Sequence, residues 1–265
     1  MCPRPRRLRC AAGRRNTVTS VLEPLALTVV AVAVMAGVTV QRITGAGFAA
    51  VSAPALILLW GPVVGVQVVN ALSALCSLLL LTVLWRRIDW RRTAILTLTA
   101  LAATPAGVFL AFNLPAAVLQ IVIGLVMITA LFAVRAIARL RFIRSTGGAA
   151  VAGMLGGVAN ATVGQAGPVM GAYAVSSRWE ITSYVASMQM CWFLVNAGTL
   201  LLKGVAPIPP VSAVVLCLAL VVGYLVSILV AKLVTRTWAE RCLLAVALVG
   251  SLLILGKGLL SLLDP

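Results

Sequence analysis

The sequence predicts an all-α integral membrane protein, a polytopic helical bundle built from two internal repeats. Three observations predict it. The chain of 265 residues is 62% hydrophobic and only 10% charged, whereas a soluble domain has about half its residues apolar and a quarter charged; the mean hydropathy is +1.14. The apolar residues fall in runs of roughly 20, the length that spans a hydrocarbon core of about 30 Å. The runs also recur in the same order in the two halves of the chain. They are apolar on every face, unlike the alternating strands of a membrane barrel, so the spans are helices.

Taken in order, residues 1–20 (MCPRPRRLRCAAGRRNTVTS) are rich in arginine and form a basic, disordered N-terminal arm outside the fold. The first repeat, 21–134, opens with an interrupted tract, Leu25–Trp60. Three plain spans follow: Val64–Leu84, Thr93–Phe112 and Ala116–Val134. A basic linker, 135–146, carries Arg135, Arg139, Arg141 and Arg144. The second repeat, 147–265, runs the same way: an interrupted tract, Ala149–Val175, then Ile181–Leu202, Val211–Ala231 and Cys242–Leu263. A shift of 119 residues places Gly45 on Gly164, Asn70 on Gln189 and Ser77 on Asn196. Members of each polar pair, Asn70/Ser77 and Gln189/Asn196, stand two helical turns apart and so share a helix face. Gly107 and Gly223 correspond after a small gap.

Three full spans per half start the second repeat from the opposite side of the membrane, as in inverted-repeat transporters. Loop charge agrees in part. The loops Arg86–Arg92 and Arg135–Arg144 are basic and belong inside, and Asn113–Pro115 is uncharged and belongs outside. Lys232, Arg236 and Arg241 outnumber Lys203, which puts the Ala231–Arg241 loop inside and makes the repeats inverted. The arginine-rich N-terminus pulls the other way. Trp60, Trp85, Trp90, Trp179 and Trp238 stand near span ends, where an aromatic belt lies.

Composition also excludes several functions. The net charge of +16 comes from 21 basic and 5 acidic residues. The basic residues sit at span ends, which points to lipid headgroups and away from nucleic acid. Six cysteines without a CxxC pair, and no histidine, leave no Cys/His metal site and no cofactor. Glu23, Asp89, Glu180, Glu240 and Asp264 all lie at span ends or in loops. The chain therefore has no buried carboxylate for a proton relay or a cation cage, and no catalytic constellation. It is not read as an enzyme.

The interruptions carry the chemistry. TGAGFAAVSAP (Thr44 to Pro54) and TVGQAGP (Thr162 to Pro168) place glycine and proline inside apolar tracts. Proline ends or kinks a helix, and glycine permits backbone conformations that other residues resist. Non-helical backbone at membrane depth survives only inside protein or beside a water-filled cavity. Two discontinuous helices whose free N–H groups converge would hold an anion. The candidate substrate-binding set is Thr44, Gly45, Gly47, Pro54, Asn70, Ser77, Thr162, Gly164, Gln165, Gly167, Pro168, Gln189 and Asn196. Ser52, Ser73, Asn160 and Ser187 are further interior polar groups, read as interhelical glue or as part of the same lining. Arg42, just before the first break, is either a snorkelling helix-end arginine or a charge that attracts the anion.

The run GAGFAAVSAPALILL, the Gln67–Asn70 helix, WRRIDWR, a Gly107-containing span and TVGQAGPVMGAY (Thr162 to Tyr173) together resemble the TauE/SafE family of sulfite-exporter-like membrane proteins. The resemblance covers nearly the whole chain after residue 21. It departs at Phe48 and Ala49, where the first motif continues with glycines, and at Ala166, which replaces a glycine in the second. The family-like positions are Gly45, Gly47, Pro54, Gly164, Gly167 and Pro168. The resemblance implies a secondary transporter in the bacterial cytoplasmic membrane. It would export sulfite, a sulfonate or a related organic acid by alternating access between the repeats. The partners expected are the lipid bilayer and a small anion, with a coupling ion and a second copy of the chain left open. The competing readings are a non-transporting membrane scaffold or accessory subunit, and an anion channel.

Overall fold

The computed structural model describes residues 9–137 and 145–263, and every regular element among them is helical. Ten α-helices follow one another: α1 (Arg9–Thr44), α2 (Phe48–Trp60), α3 (Pro62–Leu84), α4 (Trp90–Asn113), α5 (Ala116–Ile137), α6 (Thr146–Val163), α7 (Gly167–Ser176), α8 (Ile181–Lys203), α9 (Pro210–Leu233) and α10 (Arg236–Leu263). Among the described residues, six helical segments are long and apolar enough to cross a membrane: Pro24–Thr44, Pro62–Arg87, Trp90–Asn113, Ile181–Lys203, Pro210–Leu233 and Glu240–Leu263. The chain is a multi-pass membrane protein.

The helices begin where local chemistry satisfies their first N–H groups. Asp89 accepts from Arg92 N–H, Ser145 from Gly148 N–H, and Glu180 from Thr182 and Ser183 N–H at 2.9 and 2.7 Å. Hydrogen bonds from Thr182 and Ser183 hold the Glu180 carboxyl below its ordinary range. Proline opens α3 and α9, where its missing N–H costs nothing.

Two expectations change. Within the N-terminal arm, the backbone from Arg9 onward is helix continuous with the first tract, where disorder is expected. Arginine and alanine are good helix formers, and the helix accommodates even Pro24. The rest of the arm lies outside the described residues, as does most of the basic linker. Pro54 is not at the first break. It lies inside α2, buried, and a Cβ on Gly250 of α10 would come within 2.3 Å of its ring. Its role is close packing between α2 and α10.

At the centre, α3 packs on α8. Around this pair, α1 packs on α9, α4 on α6, α5 on α10, and α2 on α10. The α4–α6 contact is backbone to backbone: Cβ atoms on Gly153 and Gly157 would lie 2.6 and 2.1 Å from the carbonyl oxygens of Leu96 and Ala100. Small residues allow this approach, as in other membrane helix pairs. One apolar core gathers Phe48, Leu56, Ile57, Val66, Val69, Leu119 and Ile254, and a second gathers Met170, Tyr173, Trp179, Tyr184 and Trp192. On α9 and α10, Leu218, Leu229, Leu253 and Leu260 face outward and exposed, the surface a bilayer covers.

The candidate substrate cavity between two broken helices

Both broken tracts break at the glycines. α1 stops at Thr44 because Gly45 turns into the left-handed region at φ +82°, with its N–H on Gln41 O at 2.8 Å, and Gly47 follows at φ +140°. α6 stops at Val163 because Gly164 takes φ +76° as a left-handed C-cap, with its N–H on Asn160 O at 2.9 Å. A side chain at either glycine would be strained. α7 then starts at Gly167 with Pro168 in its first turn.

The two breaks touch. A Cβ on Gly167 would lie 3.3 Å from the Cβ of Ala46. Between them is a cavity of about 30 Å³, lined by residues of both breaks and by Gln41, Ser73, Asn160, Trp192 and Asn196. Ser73 is the central residue of the 23-residue α3, and Trp192 is the central residue of the 23-residue α8. At 1.5 Å per residue these helices are roughly 35 Å long, so the cavity sits at mid-depth.

The first break is closed on itself by amides. Gln41 Nε2 donates to Ser77 Oγ at 3.1 Å and to Gln189 Oε1 at 2.9 Å, while Gln41 Oε1 accepts the Phe48 N–H at the head of α2. Gly45 O accepts from Trp192 Nε1 at 3.2 Å and from Gln189 Nε2 at 3.4 Å. The second break is more open. Asn160 Nδ2 donates to Asn196 Oδ1 and Thr199 Oγ1, but α7 opens with no side-chain cap. Gln165 Oε1 is buried without a partner, and so are both polar atoms of Asn70, which is fully buried. An amide left so costs roughly 1–3 kcal/mol. Rotation by half a turn would present the Gln165 NH₂ instead. None of the cavity's lining residues is charged.

The structure thus brings Gly47, Gly164, Gln165, Gly167 and Asn196 of the candidate set to one cavity wall. Gly45, Ser77 and Gln189 stand behind them, in the network just described. Thr44 and Thr162 are turned onto their own helices, with their hydroxyls on Val40 O and Val158 O. Pro168 shapes the first turn of α7. Arg42 lies elsewhere: its guanidinium is 5.6 Å from the Tyr224 ring, one buried nitrogen (Nη1) is unpartnered, and it lines a separate cavity of about 320 Å³ with Ile43, Leu80 and Ala231. Gln41 and Trp192 are absent from the sequence-derived set. One signal could have found the first. Gln41 stands one turn before Gly45, and the shift that pairs Gly45 with Gly164 pairs it with Asn160. Trp192 gave none, because an interior tryptophan reads as core.

Compared with known proteins, residues 29–254 match the family model described as "Sulfite exporter TauE/SafE". No curated protein and no solved structure matches the chain.

Proposed function

The chain belongs to the sulfite exporter TauE/SafE family, and from that premise we propose that it carries a small oxyanion across a bacterial cytoplasmic membrane through the mid-depth cavity, by alternating access between two inverted repeats. The observation that carries this reading is the meeting of two broken helices at a cavity lined by amides and an uncapped helix N-terminus. Such a site offers N–H donors and positive dipole ends, which suit an anion. A cavity of about 30 Å³ is larger than the roughly 10–15 Å³ that one water needs. It favours a compact oxyanion such as sulfite over a long-tailed sulfonate.

The helix boundaries support the repeat. The shift that pairs Gly45 with Gly164 also pairs the ends Thr44 and Val163, the starts Phe48 and Gly167, and both limits of α3 with those of α8. It carries the Gln41–Ser77 hydrogen bond onto Asn160–Asn196. One residue more is needed for α4 and α5 to fall on α9 and α10, which sets Gly107 against Ser227 in place of Gly223. Gly107 and Gly223 still serve the same kind of contact, against Val158 and Met35, one turn apart.

Within this symmetry the halves differ in reach. Gln189 extends to Gly45 O, while its counterpart Asn70 is one methylene shorter and is left unpartnered. The anion therefore binds toward the second break, beside Gln165 and the head of α7. Arg42, in its own cavity, would gather anions near one entrance. Efflux is the direction that membership of a sulfite exporter family supports.

Counterflow in proteoliposomes tests the reading. Sulfite should exchange saturably, and sulfoacetate more slowly. Gln165→Leu should melt no lower than wild type, since it removes a buried amide oxygen without a partner, yet it should lose about tenfold or more in flux because Gln165 lines the cavity. Wild-type flux in Gln165→Leu and Gly164→Leu, with normal insertion, would refute the site.

A further inference from the structure

Carbonyl groups at the C-terminal ends of broken membrane helices are where transporters coordinate a travelling sodium ion. Here one carbonyl at each end already holds donors from the chain itself. At the end of α1, Gly45 O takes the Trp192 and Gln189 N–H groups. At the end of α6, Ala161 O takes the ammonium of Lys203. Lys203 is only 7% exposed, although it is the last residue of α8. Its backbone is held as well, because Gln67 Nε2 of α3 donates to Lys203 O at 2.9 Å. Ala161 lies between Asn160 and Gly164, which line the cavity. The Lys203 charge is thus delivered to the negative end of a half-helix dipole, at a residue one turn before the cavity-lining Gly164.

We propose that Lys203 is the resident cation of the transport site: its ammonium takes the seat at the carbonyl end of α6, and no alkali cation travels with the anion. This rests on the reading of the chain as an anion carrier. A lysine serves here because a compact ammonium with three donors can replace a small cation among carbonyl oxygens. The residue reads in the sequence as an ordinary loop charge; only the packing of α8 on α6 gives it this place.

The test uses the full chain in two assays, sulfite counterflow in proteoliposomes and thermal melting in detergent. Each is run in sodium, potassium and N-methylglucamine salts. Wild-type flux and melting should be the same in all three. Lys203→Ala should lose about tenfold or more in flux, the loss expected for one charge-assisted hydrogen bond. Propylammonium, the fragment removed, should restore part of the flux and raise the melting temperature. Lys203→Met, which fills the space without charge, should stay impaired and unrescued. Sodium-dependent flux or melting in wild type would overturn the proposal, even if every variant failed to fold. So would wild-type rates in Lys203→Met, or a folded Lys203→Ala indifferent to propylammonium. Should wild type carry no anion at all, the transport reading fails, and the melting series alone decides whether Lys203 fills a cation seat.

Discussion

Replacing Gln41 by leucine should abolish sulfite counterflow and lower the thermal stability of the protein. Gln41 is 3% exposed, and its amide serves three partners on three elements: Ser77 on α3, Gln189 on α8 and the Phe48 N–H that opens α2. Leucine matches the bulk and none of the polarity. Each buried group left unpaired costs roughly 1–3 kcal/mol. The sum is about 3 kcal/mol or more, a large part of a stability of about 5–15 kcal/mol. Transport should suffer further, because the amide fixes where α1 stops and α2 restarts. Gln41→Asn makes a graded control. It copies the residue at the matching place in α6, keeps the amide and shortens its reach by one methylene. It should fall between wild type and Gln41→Leu in both melting temperature and flux.

Gly157→Leu should prevent assembly, and Gly157→Ala should already cost about 3 kcal/mol. The alanine Cβ would stand 2.1 Å from Ala100 O and 2.7 Å from its carbonyl carbon, both backbone atoms of α4. A side chain can rotate away, but a helix backbone cannot. α4 and α6 must therefore separate along their contact. Because α6 carries Asn160 and Gly164 into the cavity, the separation also displaces the second break. Gly256→Ala on α10 is the matched control. Its Cβ meets nothing within 4 Å, and alanine is worth up to about 1 kcal/mol over glycine in a helix. That variant should melt at or above wild type. Size-exclusion profiles and melting curves in detergent read both outcomes.

Much of this architecture was legible because the bilayer constrains it so strongly. Five of the six plain spans follow from length and hydropathy, and Ile181–Leu202 differs from α8 by one residue at its end. The breaks were legible because glycines cluster there with small polar residues in both tracts. Gly45 and Gly164 are where both tracts stop. Proline was a poorer guide. Pro168 sits in a first turn, where its missing N–H is harmless, but Pro54 sits in mid-helix, where neighbouring packing absorbs it. The cavity was less legible than the breaks. Gln41, Ser73 and Trp192 reach it only because α1, α3 and α8 cross at one depth, and no local pattern records a crossing. Arg42 is one turn from the first break in sequence and yet lines a different cavity, since helical rotation decides which way a side chain points. Lys203 is the extreme case: charge counting puts it in a loop, while packing buries it against α6.

The central claim is that the two broken helices meet at one site and that transport passes between them. The contact between Ala46 and Gly167 tests this most directly. The Cβ separation of 3.3 Å is close to the roughly 3.5–4.5 Å that a disulfide spans. An Ala46→Cys/Gly167→Cys double variant, with the six native cysteines replaced by alanine, is oxidised in proteoliposomes, and the linked peptides are identified by mass. The account predicts a bond in the double variant alone, loss of sulfite counterflow when it forms, and recovery on reduction. Failure to link in folded protein, or undiminished flux after complete linking, would contradict it.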